Sequence, residues 1–183
     1  MTLSLDLDTV AAPAPVSDPV AFPSRAAMAD DLPAMEILHD AAFGPGALTR
    51  SAYRVREGQP PSTPFCRVLL KEGTLVAAIR FTAVTIGDRG DALMLGPLAV
   101  APAFANQGHG RRLIAEGLAA AGASGIAIVI LVGDPPYYAR FGFKRVLPGR
   151  ILMPGPVDPH RLLAAELLTD AAALYAGRVA GAG

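Results

Sequence analysis

Cysteine and histidine are scarce in this chain, and their scarcity limits the sites it can build. Cys66 is the single cysteine, so no internal disulfide can form, which suits a reducing cytosol. The three histidines lie far apart in the sequence, without a cysteine cluster beside them: His39, His109 and His160. Structural metal sites usually draw their ligands from closely spaced cysteines and histidines. We therefore expect a cytoplasmic protein without a metal site.

An excess of charge of either sign is also missing. Sixteen basic residues balance sixteen acidic ones, so the formal net charge is zero. Such a chain has no global electrostatic attraction to nucleic acid or to an anionic membrane. Five cations could still form a local basic patch, although no aromatic residues alternate with them: Arg111, Arg112, Arg140, Lys144 and Arg145. We expect no nucleic-acid partner.

Long hydrophobic runs and targeting signals are absent as well. The longest apolar run, IAIVILV at 126–132, is far shorter than the roughly 20 residues that cross a bilayer. The N-terminal MTLSLDLDTV carries aspartates where a secretory signal carries lysine or arginine, and no apolar segment follows. We expect no membrane partner.

The size and composition of the chain indicate one globular domain. Its 183 residues, 52% of them hydrophobic, can bury a sizeable core and are not disordered throughout. Residues 1–20 are small, rich in proline and without hydrophobic periodicity, so we predict a flexible leader that does no chemistry. The folded domain is then expected to cover 21–183.

The segment after the leader predicts a strand and two helices. We expect the strand over 21–28. Residues 30–43, DDLPAMEILHDAAF, predict an amphipathic helix that begins with an aspartate cap and is broken by the GPG at 44–46. Its apolar face would consist of Ala34, Ile37, Leu38 and Ala41. A second short helix is expected over 48–58.

The central segment predicts an antiparallel meander followed by a parallel crossover. Runs rich in Val, Ile, Leu, Phe and Thr, separated by turn-like residues, occur at 65–71, 74–87 and 91–100. A helix over 108–123 then leads to a strand over 126–132 that is buried on both faces. The buried face of this helix would contain Ile114, Leu118 and Ala121. Strand, helix and strand in this order form a right-handed βαβ unit with parallel strands.

The C-terminal segment has weaker patterns. They predict a short helix at 136–140 and strands near 150–154 and 166–176. The expected fold class is α/β, with a mixed sheet that is mostly antiparallel and contains one central parallel pair.

The sequence AFANQGHGRRL at 103–113 places two glycines and two arginines at the start of the predicted helix. The first amides of a helix lack internal partners and lie at the positive end of its dipole, so a phosphate can bind there. A P-loop would need Gly-Lys-Ser/Thr after the glycines, and a Rossmann fingerprint would need a small residue where Leu113 stands. The open alternative is a plain turn whose arginines are solvated.

Two motifs together resemble the GNAT superfamily of acyl-CoA-dependent N-acetyltransferases. The superfamily signature Gln/Arg-x-x-Gly-x-Gly/Ala matches at Gly108 and Gly110, after a strand that matches at Leu98, Val100 and Pro102. Its first position is Ala105 here, so one contact to the cofactor is absent or is made by Asn106 or Gln107. A second signature, Tyr-x-x-x-Gly-Phe, matches at Tyr138, Gly142 and Phe143. The order of elements agrees from about residue 21 onward, and AAFGPGALTRSAYRVREG is similar to a group of bacterial members.

The resemblance implies acetyl-CoA as acyl donor and a GNAT-like fold in which the two central parallel strands splay apart around it. The cofactor-binding residues that it implies are Leu98, Ala99, Val100, Gln107, Gly108, His109, Gly110, Arg111 and Arg112. Pro97 cannot donate a ladder hydrogen bond and usually marks a bulge, which suits this opening. The alternative is an irregular strand edge at Gly96-Pro97.

The resemblance also implies an acid and a base for acetyl transfer. Tyr138 occupies the position of the hydroxyl that assists the departing thiolate, while Tyr137 is expected to be a core aromatic. Asp134 follows the strand 126–132 and is a candidate general base, although an aspartate before proline often caps a helix instead. Glu36, Glu57 and a water relay are left open as alternatives.

The function implied is transfer of an acetyl group to a primary amine of a small molecule or peptide. The alternative is a non-catalytic acyl-CoA-binding sensor, favoured by Ala105 and by the lack of an ionisable side chain in LMLGPLAV at 93–100. The acceptor cannot be read from the residues expected near it, which are Tyr53, Arg54, Arg56 and His160. Self-association into a homodimer is left open.

Overall fold

A computed structural model of the chain describes residues 22–44 and 51–182. The predicted leader, 1–20, lies outside the described residues, as do residue 21 of the predicted first strand, residues 45–46 of the predicted break and residues 48–50 of the second predicted helix.

The described residues form a mixed sheet of nine strands. The strands are β1 Ser24–Ala26, β2 Arg67–Lys71, β3 Thr74–Ile86, β4 Arg89–Val100, β5 Ile128–Val132, β6 Lys144–Arg145, β7 Ile151–Leu152, β8 Leu162–Glu166 and β9 Gly177–Gly181. Their order in the sheet is β1-β2-β3-β4-β5-β8-β6, and β9 pairs with both β3 and β7. The pairs β4–β5 and β7–β9 are parallel, and the others are antiparallel. The expected fold class, a mixed sheet with a central parallel pair, is confirmed.

Five α-helices accompany the sheet within the described ranges: α1 Leu32–Phe43, α2 Ser51–Arg56, α3 His109–Ala123, α4 Pro135–Tyr138 and α5 Ala171–Leu174. Helix α3 packs against β2, β3 and β4, while α1 packs against β3 and β4. The predicted meander and the β4–α3–β5 crossover are confirmed. The buried face predicted for α3 is also confirmed and gains Leu113 and Gly117. No helix of this part of the chain is long and apolar enough to cross a membrane.

Strand β5 separates two apolar cores, which explains why its sequence is hydrophobic without alternation. Val129 and Leu131 lie in one core, together with α3 and with Met35 of α1. Ile128 and Ile130 lie in the other, which includes Val55 of α2 and residues from β7, β8, α5 and β9. Both faces of β5 are thus covered, as its sequence predicts.

The first helix is buried through a different face from the one predicted. Met35 and His39, one helical turn apart, are its buried residues, whereas Ile37 is 71% exposed. The aspartate cap was wrong as well, because Asp31 makes no side-chain capping bond to α1. Its carboxylate instead accepts the backbone N–H of Met28 and pairs with Arg25.

The predicted strand at 166–176 was also wrong. Strand β8 ends at Glu166, and Asp170 takes a left-handed conformation, with φ of 59°, before α5. Aspartate tolerates this conformation, and the alanines that follow it favour a helical turn. Tyr175 then anchors the segment, since its hydroxyl donates a hydrogen bond to the Gly90 carbonyl, and the last strand begins only at Gly177.

Candidate active site

Strands β4 and β5 pair for only part of their length. The pairs run from Ala92 opposite Ile128 to Met94 opposite Ile130, and none follows among the described residues. On the other side of β4, its register with β3 shifts by one residue between Leu95 and Leu98. Pro97 lies in this shift, after a cis Gly96–Pro97 bond. The register shift at Pro97 is of the kind expected for a bulge, and the pairing of β4 with β5 ends just before it, at Met94.

Two cavities lie at this opening, and Leu98 lines both of them. The first cavity, of about 800 Å³, is formed by side chains from α1, α2, β3, β4, β5, α4 and the segment 156–161. The second cavity, of about 370 Å³, is formed by the end of β4, the segment 104–111 that leads into α3, and Tyr137 and Arg140 after β5. We refer to them below as the first and the second cavity.

The glycine loop forms one wall of the second cavity. Gly108 is the residue before α3 and has a φ of 85°, a conformation that glycine adopts readily. Gly110 is already helical, and a Cβ added to it would lie 3.4 Å from both Leu98 and the Tyr137 hydroxyl. The absence of a side chain at Gly110 therefore leaves space between α3 and these two side chains. The expected cofactor residues that line this cavity are Leu98, Val100, Gly108, His109, Gly110 and Arg111.

Three expected cofactor residues do not line the second cavity. Ala99 is 4% exposed and lies in β4 between two residues that do line it. The Gln107 amide donates a hydrogen bond to the Ala103 carbonyl and accepts one from His109. Arg112 donates to the Glu116 carboxylate and to the Phe22 carbonyl, at 2.8 Å each. The Arg112 side chain thus ties the start of the described chain to α3.

Tyr138 lines the first cavity and Tyr137 the second. Their rings meet edge to face with centroids 4.9 Å apart, and Tyr138 also packs on Phe143. Gly133 lets the Tyr138 ring approach β5, because a Cβ there would lie 2.4 Å from the ring. Burial raises the pKa of Tyr138 to about 12, assisted by Tyr137 and opposed by Arg161. Tyr137, expected to be a core aromatic, packs on the apolar core and also borders a cavity.

Asp134 lies at the end of β5 and lines the first cavity together with Tyr138. It is the residue before α4, yet its carboxylate makes no capping hydrogen bond. Its backbone carbonyl instead accepts the N–H groups of Tyr137 and Tyr138. The capping alternative is therefore not seen for the side chain. Of the other candidate bases, Glu36 lines the first cavity and Glu57 lines neither.

Sequence reasoning missed most of the charged residues around the first cavity. His39 of α1 and Arg80 of β3 lie in its wall, with Arg161 from the segment before β8. His39 is 8% exposed, and its Nε2 lies 3.4 Å from the Ala78 carbonyl, to which it can donate a hydrogen bond. Burial lowers the pKa of His39 to about 4. Met35 and His39 are four residues apart and so share a helix face, but the same spacing relates Ala34 to Leu38 in the predicted face, so it did not single out His39.

Two of the four residues expected near the acceptor line the first cavity, and the other two do not. Tyr53 and Arg56 of α2 line the first cavity, whereas Arg54 and His160 line neither cavity. The part of the chain that the structure describes contains no group of three or more His, Cys, Asp or Glu side chains that could hold a metal ion.

Comparisons with known proteins agree with this architecture. In Escherichia coli K12, the proteins named "Uncharacterized N-acetyltransferase YhbS" and "Uncharacterized N-acetyltransferase YjhQ" are 36% identical over 74 residues and 40% identical over 76 residues. Each match covers 40% of this chain, and 44% and 42% of those proteins. The chain thus matches less than half of the length of these curated relatives.

Solved structures match over a longer range. The Escherichia coli YhbS structure in complex with CoA has a TM-score of 0.75 and 25% identity, and the match covers 90% of this chain and 92% of that one. A Brucella melitensis GNAT acetyltransferase in complex with acetyl-CoA has a TM-score of 0.58 and 29% identity, over 82% and 97% of the two chains. The model of the Acetyltransferase (GNAT) family matches residues 32–143. This chain belongs to the GNAT acetyltransferase family.

Proposed function

We propose that this protein transfers an acetyl group from acetyl-CoA to a primary amine. The observation that carries the proposal is the position of Leu98, which lines both cavities where β4 leaves β5. Backbone groups of β4 beyond Met94 are not used in pairing with β5 among the described residues, so they can bind an extended arm of the donor. The second cavity then holds the phosphates, and the first cavity holds the acceptor.

The second cavity has the chemistry that a pyrophosphate needs. The amides at the start of α3 are free of helical partners and border the cavity at Gly108, His109 and Gly110. Arg111 and Arg140 line the same space and supply two cations. The lack of a side chain at Gly110 keeps the space open, since a Cβ would approach Leu98 and Tyr137. These features fit the pyrophosphate of CoA. The acetyl group that acetyl-CoA carries is an activated thioester.

Tyr138 is proposed to assist the departing sulfur. With a pKa of about 12, its hydroxyl keeps its proton at neutral pH and is a hydrogen-bond donor. A thiol has a pKa of roughly 8.5, so the proton would stay on the tyrosine oxygen and not move fully to the thiolate. Tyr138 therefore acts by donating a hydrogen bond to the sulfur as charge develops on it.

Asp134 is proposed to accept the proton of the attacking amine, directly or through a water. An alkyl amine has a pKa near 10 and is mostly protonated at neutral pH, so a base must take a proton before or during attack. Asp134 lines the first cavity together with Tyr138, and its carboxylate is not used to cap α4. Glu36 lies in the same wall and is the alternative base.

Two measurements test the proposed function. Calorimetry should show that the purified chain binds acetyl-CoA and CoA, and a thiol-release assay with primary amines and peptides should show amine-dependent turnover. Binding without thiol release from any amine would identify the chain as an acyl-CoA-binding sensor. No binding of either nucleotide would reject both functions.

A further inference from the structure

The wall of the first cavity carries charges of both signs. Its cations are Arg56, Arg80 and Arg161, and its carboxylates are Glu36, Asp40, Asp134 and Asp158. His39 adds no positive charge at neutral pH, because burial lowers its pKa to about 4. A cavity built for a simple alkyl amine would need the carboxylates but not the arginines, so the arginines call for an explanation.

Arg80 is held in this wall by two hydrogen bonds. It projects from the middle of β3, opposite the bulge at Gly96–Pro97. Its Nη2 donates a hydrogen bond of 2.6 Å to the Gln59 carbonyl, and its Nε donates one of 3.2 Å to the Thr82 hydroxyl. These two contacts fix the plane of the guanidinium beside the point where β4 leaves β5.

The Arg80 cation forms no salt bridge with a carboxylate in residues 22–44 and 51–182, although the Glu36 carboxylate attracts it over a longer distance. Its Nη1 makes no hydrogen bond in this part of the chain. Burial lowers the pKa of the Arg80 guanidinium, although it stays protonated as arginines do. A partly desolvated cation is costly unless an anion pairs with it.

We propose that the acceptor is a small amine that also carries an anionic group, a carboxylate or a phosphate, bound by Arg80. The planar guanidinium suits both groups, since it can donate parallel hydrogen bonds to two of their oxygens. Arg56 and Arg161 line the same cavity as Arg80. The ammonium end of such an acceptor would lie toward the carboxylates, among them Asp134 beside Tyr138. This inference rests on the proposed acetyl transfer and names its substrate class.

The test compares pairs of amines that differ in one charge. Thiol release is measured with amino acids of graded size beside their carboxamides, and with phosphoethanolamine beside ethanolamine. We expect kcat/KM to favour the charged member of at least one kind of pair by about tenfold or more. A preference among the amino acids assigns a carboxylate, and a preference for phosphoethanolamine assigns a phosphate. Equal or better use of the neutral members throughout would overturn the proposal.

Variants then assign the preference to Arg80. Arg80→Met should abolish most of the preference, and Arg80→Lys, which keeps the charge without the planar fork, should retain part of it. Arg145→Gln is the control, because Arg145 is exposed on β6 and lines neither cavity. A full preference in Arg80→Met would reject this residue as the anion site. If Arg80→Met fails to fold, Arg80→Lys gives the test. An undiminished preference for the charged amines in Arg80→Lys would reject binding of the anion by the planar guanidinium.

A failure of the proposed function would be distinguishable from a failure of this inference. If acetyl-CoA binds but no amine releases thiol, the transferase function fails. The same amine pairs are then titrated calorimetrically into the CoA-loaded protein. Tighter binding of the charged members, lost in Arg80→Met, would uphold the anion site, and equal binding of both members would overturn it.

Discussion

The two cavities differ in how the chain builds them. The second cavity draws most of its wall from one continuous stretch, 98–111, completed by Tyr137 and Arg140. The first cavity collects side chains from α1, α2, β3, β4, β5, α4 and the segment 156–161. The wall of the second cavity therefore comes mostly from one local segment, whereas the wall of the first depends on the packing of distant elements. We expect substitutions in the second cavity to change CoA binding, and substitutions in the first to change turnover and acid stability.

The largest effect is expected from Tyr138→Phe in the first cavity. Phenylalanine keeps the ring, which packs on Phe143 and over Gly133, and removes only the hydroxyl. Losing a hydrogen bond made to the developing thiolate should raise the barrier by roughly 1.4 to 4 kcal/mol, a fall in kcat of about ten- to a thousandfold. Calorimetry should show nearly unchanged acetyl-CoA affinity. The comparison requires an amine substrate and conditions under which chemistry limits the rate.

Tyr137→Phe is the matched control for this substitution. Its hydroxyl borders the second cavity near Gly110, so its loss should act on CoA affinity more than on kcat. Full kcat in Tyr138→Phe would remove that residue from the mechanism. A larger fall of kcat in Tyr137→Phe would contradict the division of roles between the cavities.

His39, in the wall of the first cavity, should make the free energy of unfolding of the protein sensitive to acid. Its pKa falls from the ordinary 6.5 to about 4, mainly through burial. The hydrogen bond to the Ala78 carbonyl and the charge of Asp40 oppose the decrease, and Arg56 and Arg80 add to it. The unfolded chain therefore binds the proton more tightly, so the free energy of unfolding should fall as the pH drops below 6.5. The loss should reach about 3 kcal/mol near pH 4.

Denaturant unfolding at a series of pH values measures this loss. Between pH 6.5 and 5, His39→Gln should show a flatter dependence of the unfolding free energy on pH, whatever its absolute stability. His160→Gln should keep the slope of the parent, because His160 is exposed and lines neither cavity. An unchanged slope in His39→Gln would show that other groups cause the acid sensitivity.

The difference between a site built from one local segment and a site built from distant elements also explains what could be predicted from the sequence. The meander and α3 follow from patterns confined to short windows, and so does the glycine loop. The buried face of α1 does not, because only three-dimensional packing selects Met35 and His39 instead of Ile37. Arg80 and Arg161 are far apart in the sequence, and no local pattern shows that they share a cavity.

Arg112 shows a second limit of sequence reasoning. Adjacent residues in a helix point about 100° apart, so two neighbouring arginines cannot face the same ligand equally. Arg111 lines the second cavity, while Arg112 reaches Glu116, one turn ahead, and the Phe22 carbonyl. The motif locates the loop, but choosing between the two side chains requires the helix orientation.

Gly110→Val tests whether the second cavity binds CoA, because the valine side chain would fill space beside Gly110. The added side chain would approach Leu98 and the Tyr137 hydroxyl, so CoA binding should weaken at least about tenfold, or 1.4 kcal/mol. Gly122→Val is the matched control, because Gly122 lies in the same helix with nothing within 4 Å of an added Cβ. Gly108 is less suitable, since its positive φ would strain any substitute. Unchanged CoA affinity in folded Gly110→Val would remove the phosphate assignment from this cavity.

The smallest effect distinguishes the two neighbouring arginines. Arg111→Ala removes a cation from the wall of the second cavity and should weaken CoA binding by about 1 kcal/mol, roughly fivefold. The affinity of this variant should also depend less on salt than that of the parent, because one screened attraction is gone. Arg112→Ala should leave CoA affinity and its salt dependence unchanged.

Arg112→Ala should instead reduce stability. It breaks the bonds to Glu116 and to the Phe22 carbonyl, at a cost of about 1 kcal/mol in the free energy of unfolding. Calorimetry with CoA at several salt concentrations measures the affinity of both variants and its salt dependence, and denaturant unfolding measures their stability. Only Arg111→Ala should lose CoA affinity, and Arg112→Ala should lose stability. If Arg112→Ala weakens CoA binding as much as Arg111→Ala does, both arginines reach the phosphates and the orientation of α3 described above is wrong for that side chain. If neither variant weakens binding, the loop amides alone hold the pyrophosphate, and the charge on Arg111 is merely solvated.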